Sequence, residues 1–290
     1  MRQRPTIVTQ TADTIGEGEV GALQVDTAIR EEDGRFFADL SLDWEIWGPN
    51  GGYVSAIALR AAGARAPADH RPATLSVQYV GVGAFGPAEA VVTPVKQGRS
   101  AWLLNVALQQ EGKVFLQAQV WTTNRAGGPV VAEAERPDAP PHQQLRTYEE
   151  HIGAPMEHIF WRNFDAKPVE FIPMGAPRQQ RPAVLREWYR FKGFDSLDPF
   201  ADFGRAVVLL DTMVWPTHHR GRLEAPDYIA PSLDLTVWFH EPAGSAEWLM
   251  FDGAADAARE GLIHGHARVW TDDGRLVASG GSNLLHTPRR

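Results

Sequence analysis

The second half of this chain restates its first, and that repetition limits what it can fold into. Thr74-Leu75-Ser76-Val77-Gln78-Tyr79 lies over Ser232-Leu233-Asp234-Leu235-Thr236-Val237. Each stretch follows a long helical segment and precedes three further strand-like runs. A repeat this long is no solenoid period; it reads as one domain written twice.

In the first half Ala22–Ile29 and Arg35–Leu42 read as strands, and Tyr53–Ala66 as a helix. Val54, Ile57, Ala58 and Ala61 recur at helical spacing, and Asn50 is placed to cap the helix. Alanine and glycine dominate that helix, so something must pack very close to it. Thr74–Val80, Ala88–Lys96, Ala101–Gln110 and Lys113–Thr122 read as strands. The second half gives strands at Val169–Ile172 and Leu185–Phe191, a loop at Asp195–Asp202 and a helix at about Phe203–Thr217. Strands follow at Ser232–His240, Glu247–Asp252, Leu262–Trp270 and Arg275–Leu285. Gly204 then lies over Gly52 as the start of the second helix. Eight of the 21 prolines fall between Gly127 and Pro177, where regular structure must be short. A short helical turn at Gln143–His151 is the exception. The expected division is residues 1–125, a proline-rich linker at 126–166, and residues 167–290.

One long helix against an antiparallel sheet lies along the sheet's apolar face, with the sheet curled around it. Two such units can pair their sheet edges and remove two exposed ones. The expected fold class is α+β, a double hotdog.

Composition excludes several functions. With no cysteine there is no disulfide, no thiolate nucleophile and no thiolate-ligated metal. The net charge of −8 argues against general nucleic-acid binding. No segment approaches the ~18 apolar residues of a membrane helix; the longest candidate, Ala206 to Trp215, carries Asp211 in its middle. Met1 to Asp13 is polar, without the apolar core of a signal peptide, so a cytoplasmic location is the default. No G-x-S-x-G, Walker or Rossmann glycine pattern occurs.

The sequence resembles the TesB-like acyl-CoA thioesterases, a double-hotdog family. The resemblance rests on Trp47-Gly48-Pro49-Asn50-Gly51-Gly52-Tyr53 at the first helix and on Gln97-Gly98-Arg99-Ser100. It rests further on Ser232-Leu233-Asp234-Leu235-Thr236-Val237-Trp238-Phe239-His240, Glu247-Trp248-Leu249 and the closing Asp273-Gly274-Arg275-Leu276-Val277-Ala278-Ser279. It implies an acyl-CoA substrate, hydrolysis by water, no cofactor, no metal and a homo-oligomer. In this reading Asp234 holds the attacking water, and the thioester carbonyl meets the Gly51/Gly52 helix start. Asn50, Tyr53, Thr236 and Arg99 would line the substrate site, with Arg99 on a phosphate of coenzyme A. Family members carry Thr or Ser after the Trp-Leu strand and Gln in the last strand; Asp256 and Ser282 fall at those places here. The alternative is a non-catalytic acyl-CoA-binding protein of the same fold.

Each candidate also has a structural reading. The paired glycines suit a turn or helix packing, and Asp234 can bond a neighbouring chain segment. Asp256 suits a solvated loop at Gly253–Gly261, and Arg99 an exposed turn. His218-His219 suits a helix C-terminus. His264 and His266 share a strand face without a third metal ligand. Trp44, Trp47, Trp121 and Trp238 suit either an acyl tunnel or ordinary packing.

Overall fold

The computed structural model describes residues 20–131, 134–173, 175–222 and 227–288. The N-terminal stretch assessed for a signal peptide lies outside them. The first half contains α1 (Leu23–Asp26), β1 (Arg30–Glu32), β2 (Arg35–Leu40), α2 (Gly51–Arg65), β3 (Arg71–Tyr79), β4 (Gly86–Gln97), β5 (Ala101–Gln110) and β6 (Lys113–Thr123). The bridge carries α3 (Tyr148–Ile152), closed by a Thr147/Glu150 capping box. The second half contains β7 (Phe164–Pro168), β8 (Val184–Phe191), α4 (Pro199–Thr212), α5 (Val214–Arg220), β9 (Tyr228–Ile229), β10 (Asp234–Phe239), β11 (Trp248–Arg259), β12 (Leu262–Thr271), β13 (Leu276–Leu285) and β14 (Thr287–Pro288).

Twelve strands form one antiparallel sheet in the order β1-β2-β4-β5-β6-β3-β10-β13-β12-β11-β8-β7; β9 and β14 pair separately. The two halves meet at β3 and β10, the two stretches the sequence lays over one another. Val77 pairs with Leu235, its own repeat counterpart, with Gln78 opposite Asp234 and Ser76 opposite Thr236. Equivalent residues facing each other place a pseudo-twofold axis at that pair. The architecture is a double hotdog.

The inner sheet face carries Leu75, Val77, Leu235 and Val237, all fully buried, against α2 and α4. The close partner demanded by the alanine-rich α2 is α4. A Cβ on Gly52 would lie 2.6 Å from the Cα of Val208, and one on Gly204 3.4 Å from the Cβ of Ala56. At Gly52 the obstacle is backbone, which leaves no room for a side chain; at Gly204 the contact is an ordinary one with the Ala56 side chain. At the other end of α2, a Cβ on Gly63 would lie 2.6 Å from the Phe200 ring.

Several expectations are corrected. Ala22–Ile29 opens with helix α1, whose Asp26 carboxylate accepts the Trp44 indole N–H at 2.9 Å. The first strand of the second half lies at 164–168, and Val169–Ile172 is irregular. The second helix begins at Pro199, capped by Asp198, so Gly204 is inside it rather than at its start. Proline at a first helical position loses no hydrogen bond and presets φ, so the helix opens there and not at the glycine. The helix runs on to Arg220, broken at Met213. The supposed loop at Gly253–Gly261 is mostly strand: β11 continues to Arg259 with a bulge between Ala255 and Ala257.

Candidate active site at the junction of the two halves

Helix α2 starts abruptly. Asn50 caps it, its Oδ1 accepting the Tyr53 N–H at 2.9 Å while its Nδ2 donates to Thr212 Oγ1 at 3.0 Å. Thr212 belongs to α4, so the cap ties the two halves together. Beside it sits Asp211, 4% exposed. A Cβ on Gly51 would fall 2.7 Å from Asp211 Oδ2. Glycine at 51 is therefore what lets a carboxylate lie against the first turn of α2.

Asp211 has partners from both halves. The Tyr79 hydroxyl donates to its Oδ1 at 3.0 Å, and Ser55 Oγ lies 2.8 Å from that hydroxyl. Since Tyr79 spends its proton on Asp211, Ser55 donates to Tyr79. Burial pushes the Asp211 carboxyl above its ordinary range; the Ser232 side chain, Tyr79 and the Gly52 N–H act against that rise. The Tyr79 hydroxyl is held well above its ordinary value, by burial first and then by the Asp211 charge. It therefore stays protonated and donating. The positive end of the α2 dipole also favours a carboxylate here. The Tyr53 N–H serves the cap, the Gly52 N–H lies near enough to Asp211 to favour its charged form, and the Gly51 N–H has no hydrogen-bond partner among the described residues.

Asn50, Gly51, Tyr79, Asp211 and Thr212 line a cavity of about 530 Å³ that also takes in Trp47, Ser232, Phe115, Trp161 and Trp215. The arrangement offers a buried carboxylate of raised basicity, an unpaired backbone N–H and apolar walls. Two models of one family match the sequence. The acyl-CoA thioesterase N-terminal domain covers residues 40–123, and the acyl-CoA thioesterase C-terminal domain residues 132–281. The chain belongs to the acyl-CoA thioesterase family.

Solved structures share the double-hotdog fold of this thioesterase family member. A conserved hot dog protein of unknown function from Alicyclobacillus acidocaldarius is 22% identical, with a TM-score of 0.79 over 94% of this chain and 100% of that one. An acyl-CoA thioesterase II, TesB2, from Mycobacterium marinum is 19% identical, with a TM-score of 0.75 over 92% and 98%. A tesB protein from Mycobacterium avium is 20% identical, with a TM-score of 0.73 over 92% and 98%. No curated protein sequence matches the chain.

Of the expected site residues, Asn50 and Gly51 line the cavity, and the Gly52 N–H lies near enough to Asp211 to favour its charge. Asp234 does not line it, and this corrects its expected placement. It pairs with exposed Gln78, alternates with buried Leu235, and so lies on the outer sheet face. Its carboxylate accepts the Asn283 backbone N–H at 2.8 Å and the Asn283 amide at 3.0 Å. The register slips by one residue between the Ser232–Leu284 bridge and the Thr236–Gly281 pair. Asp234 thus replaces a carbonyl lost at a bulge. Thr236 shares that outer face.

Asp256 also lies outside, on the β11 bulge, with His266 Nδ1 at 2.6 Å and His264 Nε2 at 3.7 Å. Tyr53 faces the first half's core, where its hydroxyl donates to Asp26 O at 2.7 Å and its ring stacks on Trp44. Arg99 is exposed in the β4–β5 turn. Ser282 does face inward; it is buried, and its hydroxyl has no partner among the described residues. Of the four tryptophans, Trp47 lines the cavity, whereas Trp44 is core, Trp121 is half-buried on β6 and Trp238 is exposed. Among the described residues no cluster of three His, Asp or Glu is placed to hold a metal, and no helix is long and apolar enough to cross a membrane.

Asp211, Tyr79, Ser55 and Thr212 were not foreseen. The signal for Asp211 was present: one acid inside Val207-Val208-Leu209-Leu210-Asp211-Thr212-Met213-Val214-Trp215. A buried carboxylate must find donors or shift its pKa.

Proposed function

We propose that the protein hydrolyses an acyl-CoA thioester to the free acid and coenzyme A, with Asp211 as the base. The observation that carries this is a buried carboxylate of raised proton affinity set against a helix N-terminus with an unpaired N–H. Asp211 orients a water and takes its proton as the oxygen attacks the thioester carbon. The carbonyl oxygen becomes an oxyanion facing the Gly51 N–H and the positive end of α2. Collapse breaks the C–S bond, and the proton held by Asp211 passes to the departing thiolate. Tyr79, anchored by Ser55, fixes the orientation of Asp211. Ser232 adds a second hydroxyl. Raised basicity makes Asp211 a better proton acceptor near neutral pH than an exposed aspartate.

The test is free-thiol release from a panel of acyl-CoAs by wild type, Asp211→Asn and Asp234→Asn. Loss of general-base help predicts a fall on the order of 10²–10⁴-fold in kcat for Asp211→Asn. Asp234→Asn should keep its turnover. Undiminished turnover in Asp211→Asn would overturn the assignment. Saturable binding without turnover of any acyl-CoA would select the non-catalytic reading.

A further inference from the structure

A second cavity, of about 240 Å³, adjoins the first and shares Trp161, Trp215 and Pro216 with it. Most of its wall is apolar, from Phe164, Leu185 and Met213. One feature breaks that character. Glu187, 3% exposed on β8, points inward with Leu185 and Tyr189. Its Oε1 accepts the Tyr148 hydroxyl and its Oε2 the Tyr189 hydroxyl. All three residues line the cavity.

This carboxyl has no structural explanation of the usual kind. Buried acids are normally paired with a cation, yet no Lys, Arg or His lies within ion-pair distance of Glu187 among the described residues. The nearby Arg220 is engaged by Glu170 at 2.7 Å. His219 on the same wall is held neutral, its pKa lowered to about 4, by burial first and then by Arg178. Two tyrosine hydroxyls use half of the roughly four acceptor sites of a carboxylate. The remaining capacity belongs to a cavity lined mostly by carbon, whose other polar residues are Glu149, His219 and the Arg220 already engaged by Glu170.

We infer that this second cavity receives the far end of the acyl group, and that Glu187, with Tyr148 and Tyr189, selects acyl chains bearing a hydroxyl remote from the thioester. The inference rests on the hydrolase reading for the chain's point of entry. A hydroxyl both donates and accepts, so it satisfies Glu187 whether or not the carboxyl holds a proton, and burial pushes that carboxyl toward holding one. A terminal carboxylate would place a second negative charge against it. A plain alkyl end would leave its free acceptor sites dry and unmatched, which costs binding.

The experiment compares kcat/KM for butanoyl- to dodecanoyl-CoA with that for the ω-hydroxy counterpart of each, in wild type, Glu187→Gln and Tyr148→Phe. Binding of the matching non-hydrolysable thioethers of coenzyme A is measured by calorimetry alongside. At the best chain length, wild type should prefer the hydroxylated member by about tenfold, one well-made buried hydrogen bond. In both variants that ratio should fall toward one. A wild-type ratio near one, or a ratio unchanged in both variants, overturns the inference. Absence of turnover with every substrate would sink the hydrolase reading alone, because the thioether affinities still report the preference. Tyr148→Phe keeps the carboxyl and its packing, so it serves should Glu187→Gln fail to fold.

Discussion

Gly51 and Asp211 come from different halves of the chain and touch: a Cβ on the glycine would fall 2.7 Å from the carboxylate oxygen. Gly51→Ala should therefore push Asp211 out of line without unfolding the protein. Misplacement by about 1 Å can cost on the order of 100-fold in rate. The check is thiol release beside an unchanged circular dichroism spectrum. Gly52→Ala differs, because its obstacle is the Val208 backbone at 2.6 Å. The helices must part there, and overpacking of this kind costs about 1–3 kcal/mol of stability, readable by urea titration.

The raised pKa of Asp211 sets two pH dependences. In the folded chain the group binds its proton more tightly than in the unfolded chain, where it titrates near ~3.9. Its stabilising contribution is thus present below the unfolded value and lost as pH rises through the folded one. Asp211→Asn escapes that loss, so its stability relative to wild type should increase from acid toward neutral pH. Urea titrations of both proteins across that range measure it. Over the same range wild-type kcat/KM should climb, with an apparent pKa above that of an ordinary aspartate. A rate limb at the ordinary value would contradict Asp211 as the base.

Asp234 has the opposite profile. Asp234→Ala leaves the Asn283 N–H and amide without their acceptor, a loss of about 1–3 kcal/mol. Stability should drop while turnover per folded molecule holds. Denaturant midpoints and active-site-normalised rates separate the two.

Arg205 and Asp202 form a buried ion pair within α4, both 2% exposed, and the Arg205 guanidinium also donates to Ala246 O at 2.7 Å. Asp202→Asn should cost about 3–5 kcal/mol by leaving a buried charge unpaired. Thermal unfolding of the variant checks this.

The sequence carried the fold well because a duplicated pattern reports each element twice. The strands of β3 to β6 and of β10, β12 and β13 alternate clearly, and their turns are marked by glycine. It carried the site less well. Asp234 drew attention as an acid in an apolar strand, but alternation alone does not say which face of a strand is the core, and this bulged strand turns the carboxylate outward. Asp211 went unread as a site residue because helical periodicity ranks an acid in an apolar run as an interruption. Its partners Tyr79 and Ser55 lie far away in sequence and become neighbours only when β3 and α2 pack on α4. Asn50, by contrast, was legible, since a cap is a local arrangement.

Counted from their caps, Asn50 and Asp198, helices α2 and α4 correspond residue by residue. Gly52 then matches Phe200, and Gly63 matches Asp211. The contact of the Phe200 ring with Gly63 is thus the twofold image of the junction where Asp211 meets the first turn of α2. At that image a phenyl ring lies against the glycine, and the nearby acid, Asp198, caps α4 and faces Arg60 at 3.6 Å instead of lying buried. A chain made of two like halves should therefore saturate with one equivalent of ligand, its symmetry confined to the scaffold.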